Sequence, residues 1–303
     1  MAGADGVRGT WTAADWAGLT TVDRQQLRCV GSLLAALDRA LQGVNWHLKG
    51  STALLGWLGP TARMPGDVDL AVPAGIGHEL LRGADLPPGP DGAHVRLLRT
   101  EPVVFSSPGR AAVHRALVGV RHDRAEDLVL LNVLLVPEAR AARDTRTAPV
   151  AFPAAAGSVT VPAATLSRCL AQKLLRYARR REAGKTNTRW ADLADFLIAA
   201  TSPRAPKLAL DVLRRDVAVE FAAIGRDWPA TLPPPPREWL DFWDTATFRA
   251  DWPFGRLPEA VARLAGFWEP VLEVPVEPYG WAGVTASGPG RVWSPDAWEW
   301  GAG

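Results

Sequence analysis

Asn45-Trp-His-Leu-Lys-Gly-Ser-Thr-Ala-Leu-Leu-Gly-Trp-Leu58, followed after a Gly-Pro turn by Arg63-Met-Pro-Gly-Asp-Val-Asp-Leu-Ala-Val72, is the stretch whose reading decides the fold. Trp46 to Lys49 reads as a short strand, Gly50-Ser51 as a tight turn, and Thr52 to Leu58 as the apolar start of a helix. Turn amides and the positive end of that helix then converge where an anionic phosphate could sit. Asp67 and Asp69 lie two apart on a predicted strand, so both carboxylates share one face at its leading end. Carboxylates held that close repel, and the usual resolution is a divalent cation such as Mg2+ that also bridges to substrate phosphates.

The pattern extends outward from this centre. Before it, Asp23 to Gly43 reads as an amphipathic helix with Leu27, Val30, Leu33, Leu34, Leu37 and Leu41 on one stripe, Asp23 as its opening cap and Gly43 as its end. After it comes a Pro/Gly-rich loop, 84–92, then candidate strands at His94–Leu98, Val103–Ser106, Ala112–Val120 and Leu128–Val136, which suggest a small mixed sheet. Residues 137–162 turn to Ala, Arg, Gly and Pro and read as a connector. From Thr165 the spacing predicts helices over 165–183, 188–200, 206–224, 237–247 and 258–271.

Gly50-Ser51, Arg63, Asp67 and Asp69 together resemble the signature of the DNA polymerase beta-like nucleotidyltransferase superfamily, and within it the AbiEii-type nucleotidyltransferase toxins of bacterial toxin–antitoxin systems. That family shows a Gly-Gly-Thr/Ser-Ala-Leu turn and helix, then Arg-x-Ser-x-Asp-hydrophobic-Asp-Leu, and later a Lys-Leu pair and an Arg-x-x-Asp-x-x-Asp helix. This chain has Lys49-Gly50-Ser51-Thr52-Ala53-Leu54, Arg63 through Asp67-Val-Asp69-Leu70, Lys173-Leu174, and Arg189-Trp-Ala-Asp192-Leu-Ala-Asp195. The landmarks fall in the family's order, and each alone is weak: Gly-Ser before a helix is commonly a turn and cap, and Asp-x-Asp often only a solvated face.

The resemblance implies an α/β (α+β) fold, a polymerase beta-like mixed sheet over residues 1–150 followed by a C-terminal helical domain over 151–303, with the active site in the cleft between them. It implies transfer of a nucleoside monophosphate from an NTP to an RNA 3' hydroxyl, most naturally tRNA, by the toxin of a pair whose partner is a cognate antitoxin. Mg2+ or Mn2+ on Asp67 and Asp69 would be the cofactor, with Gly50, Ser51, Arg63 and Lys173 holding the triphosphate. Asp192, with Asp195 as the second choice, would supply an acid that organises the site.

Two elements of the second half carry their own readings. Lys173 sits beside the apolar face formed by Leu166, Leu170, Leu174 and Leu175, where a snorkelling lysine is the bland alternative. Arg179, Arg180, Arg181 and Lys185, with Arg176 and Arg189, form the densest positive cluster of the chain. This cluster reads either as a solvated helix end or as a phosphate-backbone track for RNA.

The chain also departs from its relatives. Lys49 replaces the first glycine of the usual pair, and Pro65 stands where serine or threonine is common. The toxins often carry Glu-x-Asn on a later central strand, whereas here Asn132 matches and Leu130 takes the acid's place. Glu126 and Asp127 precede that strand and could substitute only through a register shift. Two alternatives therefore stand beside the main reading: a small-molecule, antibiotic-modifying nucleotidyltransferase, and a catalytically silent nucleotide- or RNA-binding protein.

Composition sets outer bounds. A chain of 303 residues, 48% apolar, buries a substantial core and divides into two domains. Its net charge of +2 gives no general basicity, so any nucleic-acid surface is local. Cys29 and Cys169 lie in helical patterns without CxxC or histidine partners, which favours packing residues in a reducing cytoplasm over a zinc site. No run of about 18 apolar residues appears, so no membrane association is expected. Trp239, Trp243, Trp252 and Trp268 fall in helical segments and read as core; Trp281, Trp293, Trp298 and Trp300 are expected to pack back onto the helices, with base stacking or partner docking as the alternative.

Overall fold

The computed structural model describes residues 11–89, 91–103, 112–138, 146–154, 157–178, 189–225, 228–245, 255–273 and 290–302. The chain forms two compact units, Met1–Thr165 and Leu166–Gly303.

The first unit opens with a short helix, α1 (Ala13–Ala17), and then α2 (Thr21–Ala40). Thr20, and not Asp23, is the α2 cap: its Oγ1 accepts from the Asp23 amide at 3.1 Å and donates to the Asp23 carboxylate at 2.8 Å. The expected stripe is the buried face, with Leu27, Leu33, Leu34 and Leu37 fully enclosed. The chain continues through β1 (His47–Lys49), α3 (Gly50–Leu58), β2 (Val68–Pro73), α4 (Ala74–Arg82), β3 (Asp85–Leu86), β4 (His94–Val103), β5 (Val113–His122), β6 (Ala125–Val136), β7 (Thr147–Ala154) and β8 (Gly157–Ala164).

These strands form one mixed sheet in the order β3-β4-β5-β6-β2-β1-β8-β7. β2 runs parallel to β6, β1 antiparallel to β2, and β1 parallel to β8. Along β6 the pleat alternates: Val129, Leu131, Val133 and Leu135 are buried, while Leu128, Leu130, Asn132 and Leu134 face the more open side. α2 packs on β7 and β8, and α3 on β2 and β7. Gly31 of α2 makes that approach possible, because a Cβ there would overlap the Pro153 carbonyl of β7.

The expected connector over 137–162 is corrected by β7 and β8, which pair and place residues 147–154 and 157–164 in the sheet, so the first unit ends at Thr165 and not near residue 150. Prolines hid the hairpin, since Pro149 and Pro153 cannot donate to a ladder. β7 tolerates them as an edge strand, and Pro162 of β8 escapes the cost because β1 pairs with β8 only at Leu48–Ala163. β4 runs beyond the expected His94–Leu98 strand to Val103, with a bulge between Leu97 and Arg99, and residues 104–106 of the expected Val103–Ser106 strand lie outside the described residues.

The second unit holds, among the described residues, α5 (Leu166–Tyr177), α6 (Trp190–Thr201), α7 (Leu210–Ala222), α8 (Trp239–Thr245), α9 (Leu257–Leu272) and a hairpin of β9 (Arg291–Ser294) and β10 (Glu299–Ala302). Its core centres on Phe196, Trp239, Phe267 and Trp268, all fully buried. The terminal tryptophans close it. Trp293 Nε1 donates to the Ala200 carbonyl at 2.8 Å, Trp300 Nε1 to Phe267 at 2.9 Å, and both rings pack against Phe267. Trp298 donates to the Arg263 carbonyl, and the Arg263 guanidinium lies 4.1 Å over its ring. Trp252 and Trp281 lie outside the described residues. Among the described residues, no helix is long and apolar enough to cross a membrane.

Candidate active site

The site in the first unit is built where β1 turns into α3. Lys49 precedes the helix in extended conformation without a side-chain cap, and Gly50 takes φ +67, a left-handed backbone that favours glycine. Space imposes the same choice: a Cβ on Gly50 would lie well inside van der Waals contact with Asp69 Oδ2. The turn thus presses directly against the carboxylate. Ser51 Oγ accepts from an Arg63 guanidinium nitrogen at 3.2 Å, and Thr52 Oγ1 donates to the Asp67 carbonyl at 2.8 Å, fixing the start of β2 against the helix. Trp57 Nε1, donating to the Ala164 carbonyl at 2.8 Å, anchors the other end of α3 to β8.

Asp67 and Asp69 are half-buried, and their oxygens converge on one atom. Asn132 Nδ2 donates to Asp67 Oδ2 at 2.7 Å and to Asp69 Oδ1 at 3.1 Å. This follows from register, since Asn132 is the direct partner of Asp69 across the parallel β2–β6 pair. The same row continues to Lys49 on β1 and, in the other direction, to Arg115 on β5 and Glu101 on β4. Arg115 Nε lies 3.5 Å from Asn132 Oδ1. Five neighbouring strands therefore present Glu101, Arg115, Asn132, Asp69 and Lys49 on one face.

The donor set suits a hard divalent cation. Two carboxylate oxygens already converge on a single NH2 group, and Mg2+ characteristically takes one or two carboxylates and completes its shell with phosphate oxygens and water. Among the described residues no group of three or more His, Cys, Asp or Glu side chains gathers around such a point. The β6 register does not shift to supply one. Asp127 lies five residues from Asn132, about 16 Å along a strand, where it accepts from Gln25 Nε2 at 2.7 Å and faces the Cys29 thiol at 3.5 Å. Burial, reinforced by that carboxylate, pushes the Cys29 thiol up to about 12. Glu126 pairs with Arg96 at 3.4 Å.

Lys173 and Asp192 meet in the second unit. Lys173 is 1% exposed, and its Nζ donates to Asp192 Oδ1 at 2.9 Å and Asp195 Oδ2 at 2.7 Å; Arg176 reaches Asp192 Oδ1 at 3.3 Å. Helical spacing explains the convergence, since Asp192 and Asp195 are three apart in the first turns of α6. Burial works against ionisation of Asp192, but Lys173, Arg176 and Arg189 outweigh it and hold its carboxyl below the usual range. Asp192 Oδ2 is buried and has no hydrogen-bond partner. Arg179, Arg180, Arg181 and Lys185 lie outside the described residues.

Sequence reasoning missed Arg115 and gave Asn132 no role in the site. The period-2 alternation of 113–121 would have placed Arg115 on a known face, but only the pairing register brings it to Asn132.

Residues 32–254 match the family described as nucleotidyl transferase AbiEii toxin, type IV toxin–antitoxin system. A crystal structure of a protein from H. pylori, provisionally named a nucleotidyltransferase, aligns at 15% identity and a TM-score of 0.47, covering 84% of this chain and 98% of its own. JHP933 from Helicobacter pylori aligns at 14% identity and a TM-score of 0.43, covering 84% and 95%. No curated protein matches the chain. The match spans most of the chain, from within α2 to beyond α8, and on that ground the protein belongs to the AbiEii nucleotidyl transferase toxin family of type IV toxin–antitoxin systems.

Proposed function

We propose that this protein transfers a nucleoside monophosphate from an NTP to the 3' hydroxyl of an RNA, with tRNA as the acceptor and growth arrest as the outcome, opposed by a cognate antitoxin. The observation that carries the reading is the convergence of Asp67 and Asp69 beside the Gly50-Ser51 turn, with Arg63 already on the Ser51 hydroxyl.

Each residue has a distinct task. Gly50 keeps the turn free of a side chain, so that backbone amides approach a phosphate. Ser51 and Arg63 offer a hydroxyl and a guanidinium to the same triphosphate, and the fork of Arg63 suits paired phosphate oxygens. Asp67 and Asp69 hold Mg2+ or Mn2+, which would neutralise charge developing on the transferred phosphoryl group and on the departing pyrophosphate. Asp192 and Asp195 hold the Lys173 ammonium. For Lys173 to reach the triphosphate as proposed, that ammonium exchanges a carboxylate for a phosphate oxygen. Arg179, Arg180, Arg181 and Lys185 follow the RNA backbone in this proposal, giving affinity without sequence choice.

The test is incorporation of each labelled NTP into total RNA and purified tRNA, with and without Mg2+. Metal-dependent label in tRNA is expected, and Asp67→Ala or Asp69→Ala abolishes it while circular dichroism stays unchanged, because neither change removes core volume. Label transferred to a small aminoglycoside-like cation but not to RNA would favour the antibiotic-modifying alternative. Wild-type transfer by the Asp69 variant would overturn the metal assignment.

A further inference from the structure

The feature left unused by the proposed reaction is the amide of Asn132. It occupies the point where the two carboxylates meet, and each of its N–H groups makes a charge-assisted bond to a different acid, at 2.7 and 3.1 Å. Leu130, two residues earlier on the same face, adds no negative charge, and among the described residues no third acid joins the pair. Arg115, directly opposite Asn132 in register, faces the amide oxygen and so favours the orientation that points the NH2 group at the carboxylates.

Resting on the nucleotidyltransferase reading, we propose that Asn132 is the positioning residue that holds Asp67 and Asp69 together in the free protein, and that the site takes up its cation only in company with the nucleotide's phosphates. Two physical arguments lead there. The first is competition: a cation that uses Asp67 Oδ2 and Asp69 Oδ1 must displace both amide hydrogen bonds, and bonds to charged groups are the costly ones to break. The second is charge count. Asp69 lies in a row that also carries Lys49, Arg115 and Glu101, with Asp67 beside it and Arg63 at the adjoining turn, so three cations offset three carboxylates and little net negative charge draws a bare divalent ion. A triphosphate supplies both the missing negative charge and the missing oxygen ligands. Nucleotide and cation therefore enter as one ligand.

The experiment measures Mn2+ binding by electron paramagnetic resonance, on the full-length chain, with Mn2+ alone and then with Mn2+ plus a triphosphate carrying a non-cleavable methylene between its α and β phosphorus atoms. The wild type is expected to retain Mn2+ weakly alone and strongly with the analogue. Asn132→Asp replaces the bridging donor with a third carboxylate, and should tighten binding of Mn2+ alone by roughly tenfold or more. Asn132→Ala only removes the competitor, and should tighten it by a smaller factor; circular dichroism verifies both folds, and either variant suffices. Weaker binding of Mn2+ alone by Asn132→Ala would make the amide a ligand and overturn the proposal. Wild-type binding of Mn2+ alone as tight as that of Asn132→Asp would overturn it too. Absence of Mn2+ binding by every form, even with the triphosphate present, would bring down the nucleotidyltransferase reading itself and this inference with it.

Discussion

Lys173→Ala isolates the most concentrated electrostatic feature of the second unit. The ammonium is 1% exposed and bridges two carboxylates whose side chains are 5% and 3% exposed, so its removal leaves two buried acids facing each other. Breaking a buried pair by removing one partner costs about 3–5 kcal/mol. Arg176, a third exposed, still reaches Asp192 and softens the loss, which places the expected destabilisation near 3 kcal/mol, roughly a 1–2 M fall in urea midpoint. The dependence on pH has opposite signs in the two proteins. In the wild type the Asp192 carboxyl is held below its ordinary value, so its contribution is present above the unfolded pKa of about 4 and fades as pH falls through the lower folded value. In the variant the burial of Asp192 loses its largest counterweight, so the destabilisation grows as pH rises above about 4 and is relieved as pH falls back toward it. Urea titrations at pH 5 and pH 8, read by hydrogen exchange of the 166–201 segment, follow the helical unit by itself. The triple variant Lys173→Met, Asp192→Asn, Asp195→Asn should recover most of the loss, because no uncompensated charge remains. A Lys173→Ala protein within about 1 kcal/mol of wild type at pH 8 would refute the reasoning and free the lysine for a purely ligand-binding role.

Gly50→Ala should abolish nucleotide transfer and lower the urea midpoint, because its methyl group strains a left-handed backbone and displaces Asp69; activity near wild type would show that the turn has room to spare. Cys29, with its thiol raised to about 12, is neutral at pH 8 and should resist iodoacetamide in the native protein, reacting only on unfolding; rapid native alkylation in a peptide map would contradict its described environment. Replacing Arg179, Arg180, Arg181 and Lys185 with Gln should weaken all tRNAs alike and flatten the salt dependence of binding by roughly one unit of slope per lost contact. An unchanged slope would leave those cations as a solvated helix end.

The parts of the molecule legible in the sequence are those whose information is local. The α2 stripe, the Gly50-Ser51 turn and the Asp67–Asp69 pair each follow from residue spacing within a single element. The β7–β8 hairpin was not legible, because its prolines obey a rule about which strand lies at the edge, and edge position is a property of the whole sheet. Arg115 failed to stand out, and Asn132 was matched to the family's motif without a role, for a related reason. Their meaning arises from pairing register: Asn132 on β6 meets Asp69 on β2 across a stretch that contains β3, β4 and β5, and Arg115 is aligned with Asn132 only by the β5–β6 register, which the spacing within one strand does not contain. Lys173 was expected beside its apolar face, but its enclosure by two carboxylates depends on how α5 meets α6.

The β9–β10 clasp gives the order of synthesis a physical meaning. By Thr165 the ribosome has made every strand of the large sheet, so the first unit can fold while the remainder is still being translated. The second unit has no such head start: Trp293 and Trp300 complete the packing around Phe267, and both lie on the β9–β10 hairpin, which follows α5 to α9 in the chain. Until then that aromatic face stays open to water. A nascent chain that has not yet reached β10 thus carries a finished sheet and an unfinished helical half.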